Sequence, residues 1–168
     1  MSSQKSDDCF YVSQYLDYRW DDGLCHKFRV FFIDGKIYPA SHVISDHWEI
    51  HCGNSARRDR YRVMYSNLSL QLEEERFLHD VASCLGPNAM TALEHIQSLL
   101  GLDSVGIDFA LDGSKNVILF EANAAMRQNF EDLNDFPYLR ESVGRIANAF
   151  MEMVRSRCLS SGGNGLFS

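Results

Sequence analysis

The sequence has no unbroken apolar run near the roughly 18 residues that a membrane span requires. Its start, MSSQKSDDC, has no apolar stretch, so no secretory leader is expected and a cytoplasmic location is. A basic excess is missing as well. Sixteen Lys and Arg face 23 Asp and Glu, a formal charge of −7 with a pI near 5.3. That balance speaks against nucleic acid as a partner, and it suits a site where carboxylates are offset by cations. The five cysteines, Cys9, Cys25, Cys52, Cys84 and Cys158, are odd in number and include no C-x-x-C pair. Neither a disulfide framework nor a zinc ribbon is expected, and reduced thiols are. No G-x-x-x-x-G-K-[ST] or G-x-G-x-x-G phosphate loop is present.

What remains is ordinary core material. The chain has 168 residues, 45% of them hydrophobic and 12% aromatic, enough for one core and too few for two domains. Residues 1–8 read as a flexible start, 9–156 as a single unit and 157–168 as a flexible tail. Phe10 to Leu16 is strand-like. Asp22-Gly23 marks a turn, Lys27–Ile33 is rich in β-formers, and Asp34-Gly35 marks a hairpin. Lys36-Ile37-Tyr38-Pro39 starts a return strand, and His42–His51 is β-rich. Residues 53–67 read as a polar, basic loop. Helical spacing runs from Ser69 to Leu85 and again over Asn88–Leu100, with Asn88 as N-cap and Gly101 as the stop. Strands follow at Ser104–Leu111 and Val117–Asn123. A last helix begins near Pro137, with Leu139, Val143, Ile146, Ala147 and Phe150 as its apolar stripe. The expected class is α+β: a mostly antiparallel sheet with helices packed on one face.

The two late strands carry the chemistry. Asp108 and Glu121 sit inside VGIDFAL and VILFEAN. A carboxylate buried without a partner is costly, so each should face a cation or strong donors. Glu121 and Asn123 share a face because strand side chains alternate. A two-residue Asp112-Gly113 turn would offset Asp108 from Glu121 by roughly 13 Å, at about 3.3 Å per residue. A four-residue loop, Gly113 to Asn116, instead sets the two carboxylates opposite each other. Two carboxylates and an amide then converge, a hard-oxygen set suited to Mg²⁺ bound with phosphates. The alternative from the same residues is that Asp108 and Glu121 pair with basic side chains, Arg29 or Lys27 for example.

VGIDFALDGSKNVILFEANAAM resembles the metal-binding end of ATP-grasp enzymes. LEHIQSLLGLD, before it, looks like that family's helix leading into the strand. FYVSQYLDYRWDDGLCHKFRVFFIDGKIYPASHVISDHWEIH is similar to a hinge strand, a DG dipeptide, a K-[FY]-R-V strand and an I-S-x-H-W segment of one branch. The resemblance covers about residues 9–127. It implies that Asp108, Glu121 and Asn123 bind Mg²⁺ (or Mn²⁺) and that Arg29 contacts ATP phosphates in a catalytic role. It implies that the hinge, with Tyr11, Val12, Gln14, Tyr15 and Leu16, meets adenine and that Asp17 faces the ribose. Gln14 stands where many relatives have Glu. The implied reaction is phosphorylation of a small-molecule or peptide carboxylate to an acyl phosphate, which an amine or another nucleophile then attacks. The family's first lobe is absent from this sequence, so that lobe is expected in cis or in trans, with little turnover from this chain alone. Two other readings are a non-catalytic interaction module that keeps the fold and a metal-dependent hydrolase that acts without ATP.

Other clusters carry less. His47, Glu49 and His51 would share a strand face, but the two histidines lie roughly 13 Å apart there, too far for one zinc ion. Arg57, Arg58, Arg60 and Arg62 read as a solvated loop, or as one that closes on an anion. Glu73-Glu74-Glu75 reads as the exposed start of a helix. His79 and His95 read as surface or filler. Cys52 and Cys84 have no neighbouring base that would make either a nucleophile. Gln128 and Asn129 follow the carboxylate strand and are placed to reach substrate.

Overall fold

The computed structural model describes residues 14–50, 60–128 and 132–161. The architecture is α+β, with a four-stranded antiparallel sheet in the order β2-β1-β3-β4. The strands are β1 (Cys25–Ile33), β2 (Lys36–Ser45), β3 (Ser104–Leu111) and β4 (Val117–Asn123). The helices are α1 (Leu68–His79), α2 (Val81–Leu85), α3 (Pro87–Leu100) and α4 (Leu139–Ser161).

The β1–β2 hairpin closes where the sequence signals it. Ile33 pairs with Lys36 across Asp34 and Gly35, whose φ angles are 48° and 79°. Two successive positive φ values match the twist of the flanking strands, and Asp-Gly supplies them at low strain. Alternation along β1 then sorts its side chains. Phe28, Val30 and Phe32 join Phe77, Leu93, Ile107 and Phe109 in the main core beneath α1–α3. Phe31 and Ile33 point to the other face and meet Ile146 and Met153 of α4. Helices α1–α3 thus cover one face, and α4 adds cover to part of the other.

Several elements differ from the sequence expectation, each for a local reason. Gln14–Leu16 is not in a strand, and the end of the β-rich stretch, Asp46–Ile50, is irregular. The Ser69–Leu85 helix breaks at Asp80, whose carboxylate accepts from the Ser83 backbone N–H at 3.0 Å and restarts the chain as α2. Asn88 lies inside α3; Gly86 is its N-cap and Pro87 its first residue. Part of the expected basic loop is a π-helical turn, Arg60–Met64. Helix α4 continues past 156 to Ser161, and Arg157 on it bonds Asp34 and Asp103 at 2.7 and 3.1 Å. Ala147 and Phe150 are exposed, not part of the buried stripe. Residues 1–8, Tyr11 and Val12 of the hinge, His51, Cys52, Arg57, Arg58 and Asn129 lie outside the described residues. Among those described, no helix is long and apolar enough to cross a membrane.

Candidate functional site: a charged row across the sheet

One row of residues crosses the whole sheet. Ser41 pairs with Arg29, Arg29 with Asp108, and Asp108 with Glu121. Directly paired residues share a face, so these four side chains lie on the face opposite α1–α3. Both outer ladders shift register at this row. On β2 the extra residue is Ala40; on β4 it is Phe120. Bulges bend a strand and re-aim its side chains, and they recur beside functional sites.

The second bulge decides the carboxylate geometry. The loop is not the four-residue turn expected: Leu111 pairs with Val117, so residues 112–116 form it. Asp112 organises it, its carboxylate accepting from Ser114 N and Asn116 N, both at 2.8 Å. That register alone would put Asp108 and Glu121 on opposite faces. The bulge at Phe120 restores the phase, and Asp108 faces Glu121 after all. The pairing of Asp108 with Glu121 expected from sequence is therefore present, by a different route.

Asp108 is almost fully buried and is held by two cations. Arg29 donates from Nε to Oδ1 at 2.6 Å and from Nη2 to Oδ2 at 2.8 Å. Lys27 Nζ lies 2.7 Å from Oδ2 and also donates to the Ile50 carbonyl at 2.7 Å. Burial by itself would push the Asp108 carboxyl up; the hydrogen bonds and charges of Arg29 and Lys27 outweigh it and hold it below the usual carboxylate range. Arg29 further donates to the Arg127 carbonyl at 3.1 Å. Basic partners for Asp108 were the alternative drawn from sequence, and Arg29 and Lys27 are those partners. Glu121 has no such clamp among the described residues: it is exposed and accepts from Asn123 Nδ2 at 3.0 Å. The Asn123 side-chain oxygen accepts from Ala125 N at 2.8 Å.

Two hollows adjoin the row. A small one of about 60 Å³ is lined by Lys27, Arg29, Ser41, Asp108 and Gln128. The buried Nε2 of Gln128 has no hydrogen-bond partner among the described residues. The larger cleft, about 620 Å³, lies between the 14–18 segment, Trp48 to Ile50, and the outer strand β4. Its walls are aromatic and aliphatic. Tyr15 meets Trp48 edge to face at 5.9 Å, Tyr18 packs on Phe120 at 5.1 Å, and the Tyr18 hydroxyl donates to the Trp48 carbonyl. Lys27, Asp108 and Glu121 form its polar end. The shape is that of a small-molecule site, with apolar walls and a few polar groups at one end.

The remaining expectations divide. Gln14, Tyr15 and Leu16 line the cleft. Asp17 does not line it; its carboxylate is engaged by Arg19 at 2.7 Å. His47 and Glu49 are exposed on an irregular segment, so the strand-face geometry considered for them does not exist. Arg62 pairs with Asp46. Arg60 is not a solvated loop residue. It is buried, paired with Glu74 and lying 3.4 Å from Asp132. Glu74 is likewise not at an exposed helix start; it is buried mid-helix, where it accepts from Arg60, from Tyr138 OH at 2.7 Å and from His42 N at 2.9 Å. His79 and His95 are exposed.

The sequence reading missed His26. It lies on β1 in phase with Phe28, Val30 and Phe32, and that alternation was the available signal that it points into the core. His26 Nδ1 lies 2.9 Å from His42 Nε2. No protein-family model matches this sequence, and no curated protein matches it.

Proposed function

We propose that this chain is the nucleotide- and magnesium-binding lobe of an ATP-grasp ligase, which activates a carboxylate as an acyl phosphate for attack by an amine or another nucleophile. The observation that carries the reading is the charged row. Two cations, two carboxylates and an amide share one sheet face, and three of them, Lys27, Asp108 and Glu121, line an apolar cleft of about 620 Å³. In this reading the base occupies the cleft between Tyr15, Trp48 and Phe120, and Lys27 and Arg29 take the phosphates. Asp108, Glu121 and Asn123 offer the hard oxygens that Mg²⁺ prefers. Asp108 is already neutralised by Lys27 and Arg29, so the donor set fits a metal only when phosphates draw those cations away. The orphan Gln128 Nε2 supports an acceptor-rich ligand in the adjoining pocket. When bound, the metal would neutralise charge on the transferring phosphoryl group, and positioning would come from the cation pair. The first lobe of the site, from another segment or chain, would cover the nucleotide's other side.

One observation favours a second reading. The Asp108–Arg29–Lys27 cluster satisfies itself, as the ion-paired framework of a non-catalytic interaction module would. Calorimetric titration of Mg²⁺–ADP separates the two. Weak binding that is lost in Glu121→Ala, whose exposed side chain the fold does not need, supports the nucleotide lobe. Equal binding by Glu121→Ala and wild type, or none by either folded protein, favours the module.

A further inference from the structure

A second cluster of ligating side chains lies on the opposite face of the same sheet, beneath α1. His26 and His42 are both buried, at 0% and 2% exposure, on adjacent strands. His42 pairs with Phe28, so His26 is its diagonal neighbour on the same face. Glu73 reaches them from α1, with its Oε1 3.6 Å from His26 Nδ1. One ligating atom from each of His26, His42 and Glu73 lies within 4.8 Å of the other two.

We propose that His26, His42 and Glu73 form a binding site for a borderline divalent transition-metal ion of the zinc type.

Four features carry this. The separations suit one ion. Nitrogens about 2.0–2.1 Å from a tetrahedral ion sit roughly 3.3 Å apart, so the 2.9 Å pair needs to open by only a few tenths. The rings are already fixed. Trp20 stacks on His26 at 4.0 Å and Phe28 on His42 at 4.1 Å, so each imidazole can offer only its in-plane nitrogens. The tautomer is set as well. His26 Nε2 lies 3.0 Å from Asp22 Oδ2, and Asp22 is itself held by Leu24 N at 2.8 Å. A carboxylate on the far nitrogen leaves the Nδ1 lone pair free and raises its basicity, the arrangement that supports metal-bound histidine. The charge also balances. One divalent ion offsets Glu73 and Asp22, while Glu74 is already matched by Arg60 and Lys115 is turned onto the Trp20 ring at 3.6 Å. Glu73 and Asp22 are 33% and 43% exposed, which gives an ion a way in. Two nitrogens and one oxygen select zinc-like ions over Mg²⁺, so this site is distinct from the charged row. Filling it would pin β1, β2 and α1 together.

The test uses the full chain, stripped of metal with a chelator. Zn²⁺ is titrated in competition with a chromophoric indicator, and Co²⁺ is added separately for its ligand-field spectrum. One equivalent of Zn²⁺ is expected, with a Co²⁺ spectrum of tetrahedral strength. Glu73→Gln, a partly exposed change, should lower Zn²⁺ affinity at least tenfold and remove the strong Co²⁺ bands. Asp22→Asn, which touches no ion, should lower affinity about 10–100-fold through His26. Absence of stoichiometric binding by folded wild type overturns the proposal. So does binding undiminished in both Glu73→Gln and His26→Gln.

Discussion

Along β1, His26, Phe28, Val30 and Phe32 point toward α1–α3, whereas Lys27 and Arg29 point to the face that the helices leave partly open. Both sets are well buried, yet they are held by different forces. In the first set Phe28, Val30 and Phe32 are packed by apolar neighbours, and His26 alone of the four is also held by polar contacts, to Asp22, His42 and Glu73. The second is held by Asp108, whose carboxylate is shared by both cations. Alternation of side chains lets one strand serve a core and a charged site at once. The bulges at Ala40 and Phe120 act only on the outer ladders, so they shape the charged row without breaking the hydrophobic face.

The comparison can be broken most strongly from the core side. Phe28→Ala should cost about 3–5 kcal/mol, since Phe28 stacks between His42 and Phe109 and packs on Phe77. Glu74→Ala should cost a similar amount, about 3–5 kcal/mol, because it removes the carboxylate paired with the buried Arg60 and leaves Asp132, 3.4 Å away, as the one remaining carboxylate beside it among the described residues. Denaturant titration reads both. On the open face, Gly106→Ala should cost about 1–3 kcal/mol. A Cβ there would lie 2.7 Å from Met126 Cβ and 2.6 Å from its sulfur, and Gly106→Ala with Met126→Ala should recover most of the loss. Glu121→Ala should change stability by no more than about 0.5 kcal/mol while abolishing Mg²⁺–ADP binding.

pH sharpens the contrast with two separate windows. Burial, then the charges of His26, Arg60 and Lys115, hold the His42 imidazole well below its ordinary 6.5. The unfolded chain therefore binds a proton that the folded chain refuses, and stability falls as pH drops below 6.5. His42→Gln should flatten that slope. Asp108 acts lower. Its depressed carboxyl contributes stability that is full above the ordinary 3.8 and is lost as pH falls further, toward the folded value. Asp108→Asn should remove that acid limb and leave the His42 limb in place. Urea titrations at a series of pH values report both.

Much of this was legible in the sequence. Ser104–Leu111 and Val117–Asn123 were readable to the residue because both are β-rich and bounded by turn formers. The facing of Asp108 and Glu121 was expected, but its cause was not. Loop length sets register only until a bulge changes it, and nothing local in VILFEAN marks Phe120 as the extra residue. Glu74 shows the other limit. Among three consecutive glutamates, only the helix's orientation against β2 decides which one is buried. Asp80 was readable in principle, since an Asp followed three residues later by Ser is a cap pattern inside a helical run. His26 needed only the alternation of β1 to be placed inward; its meeting with His42 needed the β1–β2 register.

The two tryptophans make the division between faces directly measurable. Trp20 stacks on His26 beside the closed face, and Trp48 lines the open cleft. Fluorescence of Trp20→Phe reports Trp48 alone, and that of Trp48→Phe reports Trp20 alone. Titration with Mg²⁺–ADP should change the Trp48 signal saturably and leave the Trp20 signal flat. A nucleotide response at Trp20, or none at Trp48 in a folded protein, would contradict the assignment of the open face as the nucleotide site.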